Sequence, residues 1–127
     1  MIVFDASVMI AVLSPTNALH GRAQALLIDH LDEQFAMHAL TRAEVLVGPA
    51  RIGRVHVAEQ QLDRLEIRTV GLTGDQAAAL AQLRAETGVK LPDCCVLLAA
   101  TDLRASVATF DERLARAATM ASIDVIR

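Results

Sequence analysis

Ile2-Val3-Phe4-Asp5-Ala6-Ser7-Val8-Met9-Ile10-Ala11-Val12-Leu13 follows Met1, and the order of its residue types decides the architecture. The β-branched and aromatic run Ile2-Val3-Phe4 has the character of a buried strand. An acid stops it at Asp5. Ser7 is placed to cap a short helix over Val8–Leu13, which Pro15 ends. The chain therefore passes from strand to helix through a carboxylate, and the same alternation continues outward. Asn17 is expected to cap a longer helix with Leu19, Ala23, Leu26, Leu27 and His30 on one face. Phe35–His38 reads as a second strand. Leu40–Val47 is helical again, with Gly48-Pro49 expected to break it.

Ala58, Leu62 and Leu65 mark the inner face of the next helix, and Ile67–Val70 a third short strand. Thr73-Gly-Asp-Gln76 has the form of a capping box and opens a helix that runs to Gly88. Leu91-Pro92-Asp93 opens another, to about Leu103. Ser106–Thr109 is a strand, Thr109-Phe-Asp-Glu112 a second capping box, and Ile123–Ile126 a closing strand. Short strands alternating with helices define an α/β sandwich on a mainly parallel sheet. In such folds ligands bind beyond the carboxyl ends of the strands. Asp5 and Asp111 both stand there.

With 127 residues the chain is expected to form one domain over residues 1–127. It is 54% hydrophobic, with a mean hydropathy of +0.39, which predicts apolar surface and an interface with another chain. The net charge of −3 excludes a general nucleic-acid coat protein, so any such role rests on a local site. The two cysteines are adjacent, Cys94 and Cys95, and read as small core residues. His20, His30, His38 and His56 lack ligand spacing and read as surface or packing residues. No basic segment precedes the first apolar run, and no run approaches the ~20 residues of a membrane span. A cytoplasmic protein without membrane contact is expected.

Four acids carry the chemistry. Taken singly, Asp5, Asp93 and Asp111 are each explained as helix-start residues. Glu44 is not, because Leu40 and Val47 place it on an apolar stripe. A lone carboxylate there is costly unless it pairs, for instance with Arg51, or binds a metal. Together, the four supply the oxygen ligands that Mg²⁺ or Mn²⁺ takes. Such an ion offsets the repulsion among the acids, activates water and clamps a phosphate for in-line attack.

These motifs, in this order, resemble those of the PIN domain, and specifically of the small toxin of bacterial VapBC toxin–antitoxin pairs. The resemblance lies in the strand–Asp5–x–Ser7–helix opening, Leu40-Thr41-Arg42-Ala43-Glu44-Val45-Leu46, Leu91-Pro92-Asp93-Cys94-Cys95-Val96-Leu97-Leu98-Ala99-Ala100, and Val107-Ala108-Thr109-Phe110-Asp111-Glu112-Arg113-Leu114. Cys94-Cys95 departs from the commoner small or apolar residues at packing positions. The resemblance implies a single three-layer α/β/α domain with a five-stranded parallel sheet. It implies a Mg²⁺- or Mn²⁺-dependent endoribonuclease that cleaves tRNA or rRNA to inhibit translation and growth. It also implies a homodimer and a cognate VapB-type antitoxin, often inserting an Arg among the acids.

Asp5 and Asp93 would be the principal metal ligands, with Asp111 and Glu44 completing the ring. Ser7 and Thr109 would support them or touch phosphate. Arg42, Arg51, Arg54 and His56 form the densest basic stretch and are candidates for RNA or antitoxin contact. With no Tyr or Trp and three Phe, base stacking has little to work with. A housekeeping RNA-processing nuclease and a non-catalytic PIN-like binding module are the alternatives. A receiver domain or haloacid-type phosphatase is disfavoured, since no second acid stands close to Asp5. Asp5→Asn is expected to remove cleavage and to leave the metal-free fold as stable or more so.

Overall fold

A computed structural model describes all residues, Met1–Arg127. Five strands, β1 (Ile2–Phe4), β2 (Phe35–His38), β3 (Arg68–Val70), β4 (Ser106–Ala108) and β5 (Val125–Ile126), form one sheet in the order β3-β2-β1-β4-β5. Every pairing is parallel, so the expected mainly parallel sheet is entirely so. Seven helices connect the strands: α1 (Ala6–Leu13), α2 (His20–Asp29), α3 (Ala39–Arg51), α4 (Val55–Arg64), α5 (Ala77–Thr87), α6 (Leu91–Leu103) and α7 (Glu112–Met120).

The pleat divides the core into two. Ile2 and Phe4 of β1 point one way, with Met37 and Ala108, into a cluster completed by α1 and α2, Val45 of α3 and Leu62 of α4. Val3, Ala36 and Val107 point the other way, into a cluster completed by α6 and α7. Leu80 and Leu83 of α5 pack on this second cluster. The result is the expected three-layer sandwich. Both faces of each central strand are buried, which is why β1 and β4 read as continuous apolar runs. The sheet winds outward from β1 in both directions, so the topological switch point lies between β1 and β4.

Several local expectations change. Helix α3 does not break at Gly48-Pro49 but continues to Arg51. Pro49 sits near the end of the helix, where its missing N–H leaves one carbonyl, that of Val45, without its helical donor but does not stop the last residues from continuing the turn. Asn17 caps a turn ahead of α2, its Oδ1 accepting from Leu19 N at 2.9 Å, and not the helix itself. The Thr73 capping box does form, with Gln76 Oε1 accepting from Thr73 N at 3.0 Å. Helix α5 ends as expected at Gly88, which takes the left-handed conformation (φ 70°) that glycine adopts without strain.

Cys94 and Cys95 are free and buried. His38 is also buried and caps α3, its Nδ1 accepting from Leu40 N at 3.0 Å. Burial lowers its pKa, so the ring is held neutral. The apolar surface expected from composition is present, with Ile28, Leu31, Ile52 and Met120 each more than 60% exposed.

Candidate active site

Asp5 leaves β1 at the switch point. Its backbone N donates to Ala108 O of β4 at 3.0 Å, which locks the acid beside the neighbouring strand. Asp5, and not Ser7, is the N-cap of α1: its Oδ2 accepts from Ser7 N at 3.3 Å. The same oxygen accepts from Ser7 Oγ at 2.6 Å and from Thr109 Oγ1 at 2.9 Å. Ser7 Oγ in turn accepts from Phe110 N at 3.0 Å. The helix therefore starts two residues earlier than the sequence suggests, because the carboxylate reaches the first turn while the serine is drawn to β4.

Thr109 is fully buried, and its Oγ1 also accepts from Asp111 N at 3.0 Å. The expected capping box at Thr109 does not form; Asp111 caps α7 instead. Its Oδ1 accepts from Arg113 N at 2.8 Å and Leu114 N at 3.0 Å. Ser7 and Thr109 are thus the links that tie the two strand-end acids together. Thr109→Val keeps the shape and removes both hydrogen bonds. It is expected to destabilise the fold by about 1–3 kcal/mol, read by urea unfolding; an unchanged midpoint would contradict the linking role.

Asp93 is different. The N-cap of α6 is Lys90, and Asp93 is the third helical residue. Its carboxylate is half-buried and caps nothing, so the expected N-cap role fails for it, although it stays in the first turn of the helix. Burial, then the charges of Asp5, Asp111 and Glu44, push its pKa up to about 6, against the opposing pull of Lys90. Glu44, on α3, is likewise raised, by the partial desolvation of its carboxylate at the protein surface and by Asp5, and lowered by Lys90.

The charges of Asp5, Asp111 and Glu44 thus all reach Asp93. The structure also corrects the reasoning about Glu44. That residue is exposed, and its flanking Leu40 and Val47 are themselves 40% and 44% exposed, so the stripe is a rim and not a core face. No ion pair with Arg51 forms.

The donor set fits a hard divalent cation. Asp5 and Asp111 each anchor one oxygen in the fold and leave the other free. Asp93 and Glu44 commit neither. No three of these acids converge as a preformed cage. That suits an ion such as Mg²⁺, which keeps several waters and takes one or two carboxylates directly.

Lys90, the only lysine, stands three residues before Asp93 and is a site neighbour beyond the residues expected from sequence. Its charge is the one that opposes the acids at both Glu44 and Asp93. Arg42, by contrast, is spent on the fold. Its guanidinium pairs with Glu59 and, at 2.8 Å, with Asp63, and reaches Thr69 Oγ1 at 3.3 Å. It clamps α3 to α4. Arg42→Ala is expected to cost about 1 kcal/mol of stability and to leave catalysis unchanged; a loss of turnover without loss of stability would reverse this assignment. Arg51 and Arg54 are exposed, and Arg54 lines a groove of about 470 Å³ between α1, α3 and α4 that also includes Glu44.

A parallel α/β sandwich with acids gathered at its switch point defines the class. The PIN domain family matches residues 2–120, and the chain belongs to that family. No curated protein matches the chain. Among solved structures it is similar to a toxin–antitoxin complex from Klebsiella pneumoniae, with 24% identity, 87% of each chain covered and a TM-score of 0.75. FitAcB from Neisseria gonorrhoeae gives 24% identity, 100% of this chain and 97% of that one, and a TM-score of 0.77. The sarcin–ricin-loop-cleaving toxin VapC20 from Mycobacterium tuberculosis gives 16% identity, 92% and 95% coverage, and a TM-score of 0.78. These likenesses extend the fold over the whole chain.

Proposed function

We propose that the chain is a metal-dependent endoribonuclease, the toxin of a toxin–antitoxin pair, that hydrolyses phosphodiester bonds in structured RNA such as tRNA or rRNA. One observation carries the reading. Asp93 and Glu44 hold carboxylates that cap nothing and enter no ion pair, against the charges of their neighbours. A fold keeps such a cluster only if something offsets the repulsion, and a divalent cation does so.

Asp5 and Asp93 would hold Mg²⁺ or Mn²⁺, with Asp111 and Glu44 completing the ring. The ion, when bound, neutralises the phosphate and lowers the pKa of water. The protein's own part is orientation. Ser7 and Thr109 fix one Asp5 oxygen so that the other faces the site. Glu44, at the exposed rim, would orient the attacking water and accept its proton; the water oxygen bonds to phosphorus as the bond to the ribose oxygen breaks, and that oxygen takes up a proton from solvent. Lys90 provides a positive charge beside the acids.

The groove between α1, α3 and α4 supports the antitoxin part of the reading. It is lined by Ile10, Leu13, Val45, Ile52 and Val57, and ends on Glu44. An apolar segment of an antitoxin with a terminal Arg would fill it and neutralise that acid. The structurally similar Klebsiella protein is described as part of a toxin–antitoxin complex. A homodimer, and residence in the cytoplasm, complete the proposal. The exposed apolar side chains agree with a partner, and no helix is long and apolar enough to cross a membrane.

The test is cleavage of total RNA with Mg²⁺, Mn²⁺ or EDTA. Metal-dependent cuts support the nuclease. Binding of RNA without cleavage under any metal would favour the non-catalytic module. A short neighbouring reading frame whose product suppresses the cleavage separates toxin from housekeeping nuclease.

A further inference from the structure

Of the three phenylalanines, two are spent on each other. Phe4 and Phe35 meet edge to face in the core, their centroids 5.0 Å apart. Phe110 remains. It lies between Thr109 and Asp111, and its backbone N is held by Ser7 Oγ. Its ring is half-buried against the α1–α2 side of the core. The guanidinium of Arg22, from α2, lies over that ring, with its carbon 4.9 Å from the centroid.

Arg22 is exposed and enters none of the four ion pairs of the chain. Four other guanidinium groups are committed elsewhere, Arg42 to Glu59 and Asp63, Arg127 to Glu112, and both Arg84 and Arg113 to the Gly88 carbonyl; of those that remain, Arg22 alone is stacked on a ring. Arg22 is therefore a cation fixed by a ring, one residue from two site positions, with the edge of its fork free. Stacking occupies the flat face of a guanidinium and leaves its in-plane N–H donors to bind oxygens. The position also suits the electrostatics. The acids repel the RNA backbone, and Arg22, which is not among the charges acting on Asp93 or Glu44, attracts a phosphate without quenching those carboxylates.

We propose that Arg22, stacked on Phe110, is a substrate-contact residue that holds an RNA phosphate next to the scissile one. This rests on the nuclease reading of the acid site.

The probe is a labelled RNA hairpin with a single-stranded loop, its binding followed by fluorescence anisotropy across a salt series, with Ca²⁺ replacing Mg²⁺ to hold off cleavage. Arg22→Ala is expected to weaken binding about tenfold and to lower the salt slope by roughly 0.7–0.9, the loss of one phosphate contact. Arg22→Lys should keep the slope and recover part of the affinity. Phe110→Leu, which preserves the core contact, should keep the slope and weaken binding by releasing the guanidinium. A merely structural Arg22 would not move the slope.

An Arg22→Ala slope equal to that of the native protein overturns the proposal. If the native protein cuts RNA with Mg²⁺ or Mn²⁺ while the slope is unmoved, only this assignment falls. If the native protein neither binds the hairpin nor cuts RNA, the nuclease reading falls with it.

Discussion

Asp93→Asn is expected to abolish metal-dependent RNA cleavage, by on the order of a thousandfold, or about 4 kcal/mol of activation free energy, while the fold remains intact. The choice of residue follows from the geometry. Asp5 looked from the sequence like the natural target, but its Oδ2 accepts three hydrogen bonds and it caps α1. Asp5→Asn relieves repulsion yet weakens charge-assisted hydrogen bonds that tie β1 to β4. The two effects oppose one another, so its metal-free stability is no longer expected simply to hold or rise. Asp93 carries no such duty. Loss of cleavage in Asp93→Asn with an unchanged circular dichroism spectrum therefore reports on the site alone. Activity within tenfold of the native protein would remove Asp93 from the metal ligands and sink the proposed chemistry.

The difference between these two aspartates was not legible in the sequence. Both stand at loop-to-helix junctions, and both read as caps. What separates them is position in the first turn: Lys90 takes the cap of α6 and Asp93 comes third in the helix, where its carboxylate accepts no capping hydrogen bond. The strands were legible to within one or two residues because buried parallel strands are continuous apolar runs. The carboxyl-end placement of Asp5 and Asp111 followed from that alternation alone.

Glu44 was identified through an apolar stripe that turns out to be a rim, so the residue stands while its original argument does not. What the sequence hid were contacts between distant segments. Arg42 finds Glu59 and Asp63 on the next helix, and Arg22 of α2 finds Phe110 in the segment after β4. Local pattern carries no signal for either, because each depends on how two finished elements pack. Ser7 and Thr109 are intermediate. Their residue types suggested the site, but their reversal from helix caps to links between strands depends on β1 and β4 being neighbours.

Metal-free Asp93→Asn is expected to be more stable than the native protein at neutral pH, and the advantage should vanish in acid. The pKa of Asp93 rises from 3.8 to about 6 on folding, so between those values the native state holds more proton than the unfolded chain. Stability then falls as pH rises through this window, and the full cost is present above pH 6. The shift corresponds to about 3 kcal/mol at ~1.4 kcal/mol per unit. Partial exposure screens it to about 1–2 kcal/mol, a few degrees in Tm for a domain of this size. The asparagine cannot ionise and escapes this cost. Melts in EDTA at several pH values should show the two curves merging below about pH 4. Saturating Mg²⁺ should reverse the order at neutral pH, since an ion that binds only the native fold stabilises the protein that holds it. Equal Tm values at neutral pH in EDTA would show that neither burial nor the neighbouring acids penalise the Asp93 carboxylate in the fold. A stable variant that still gained as much as the native protein from Mg²⁺ would place the ion elsewhere.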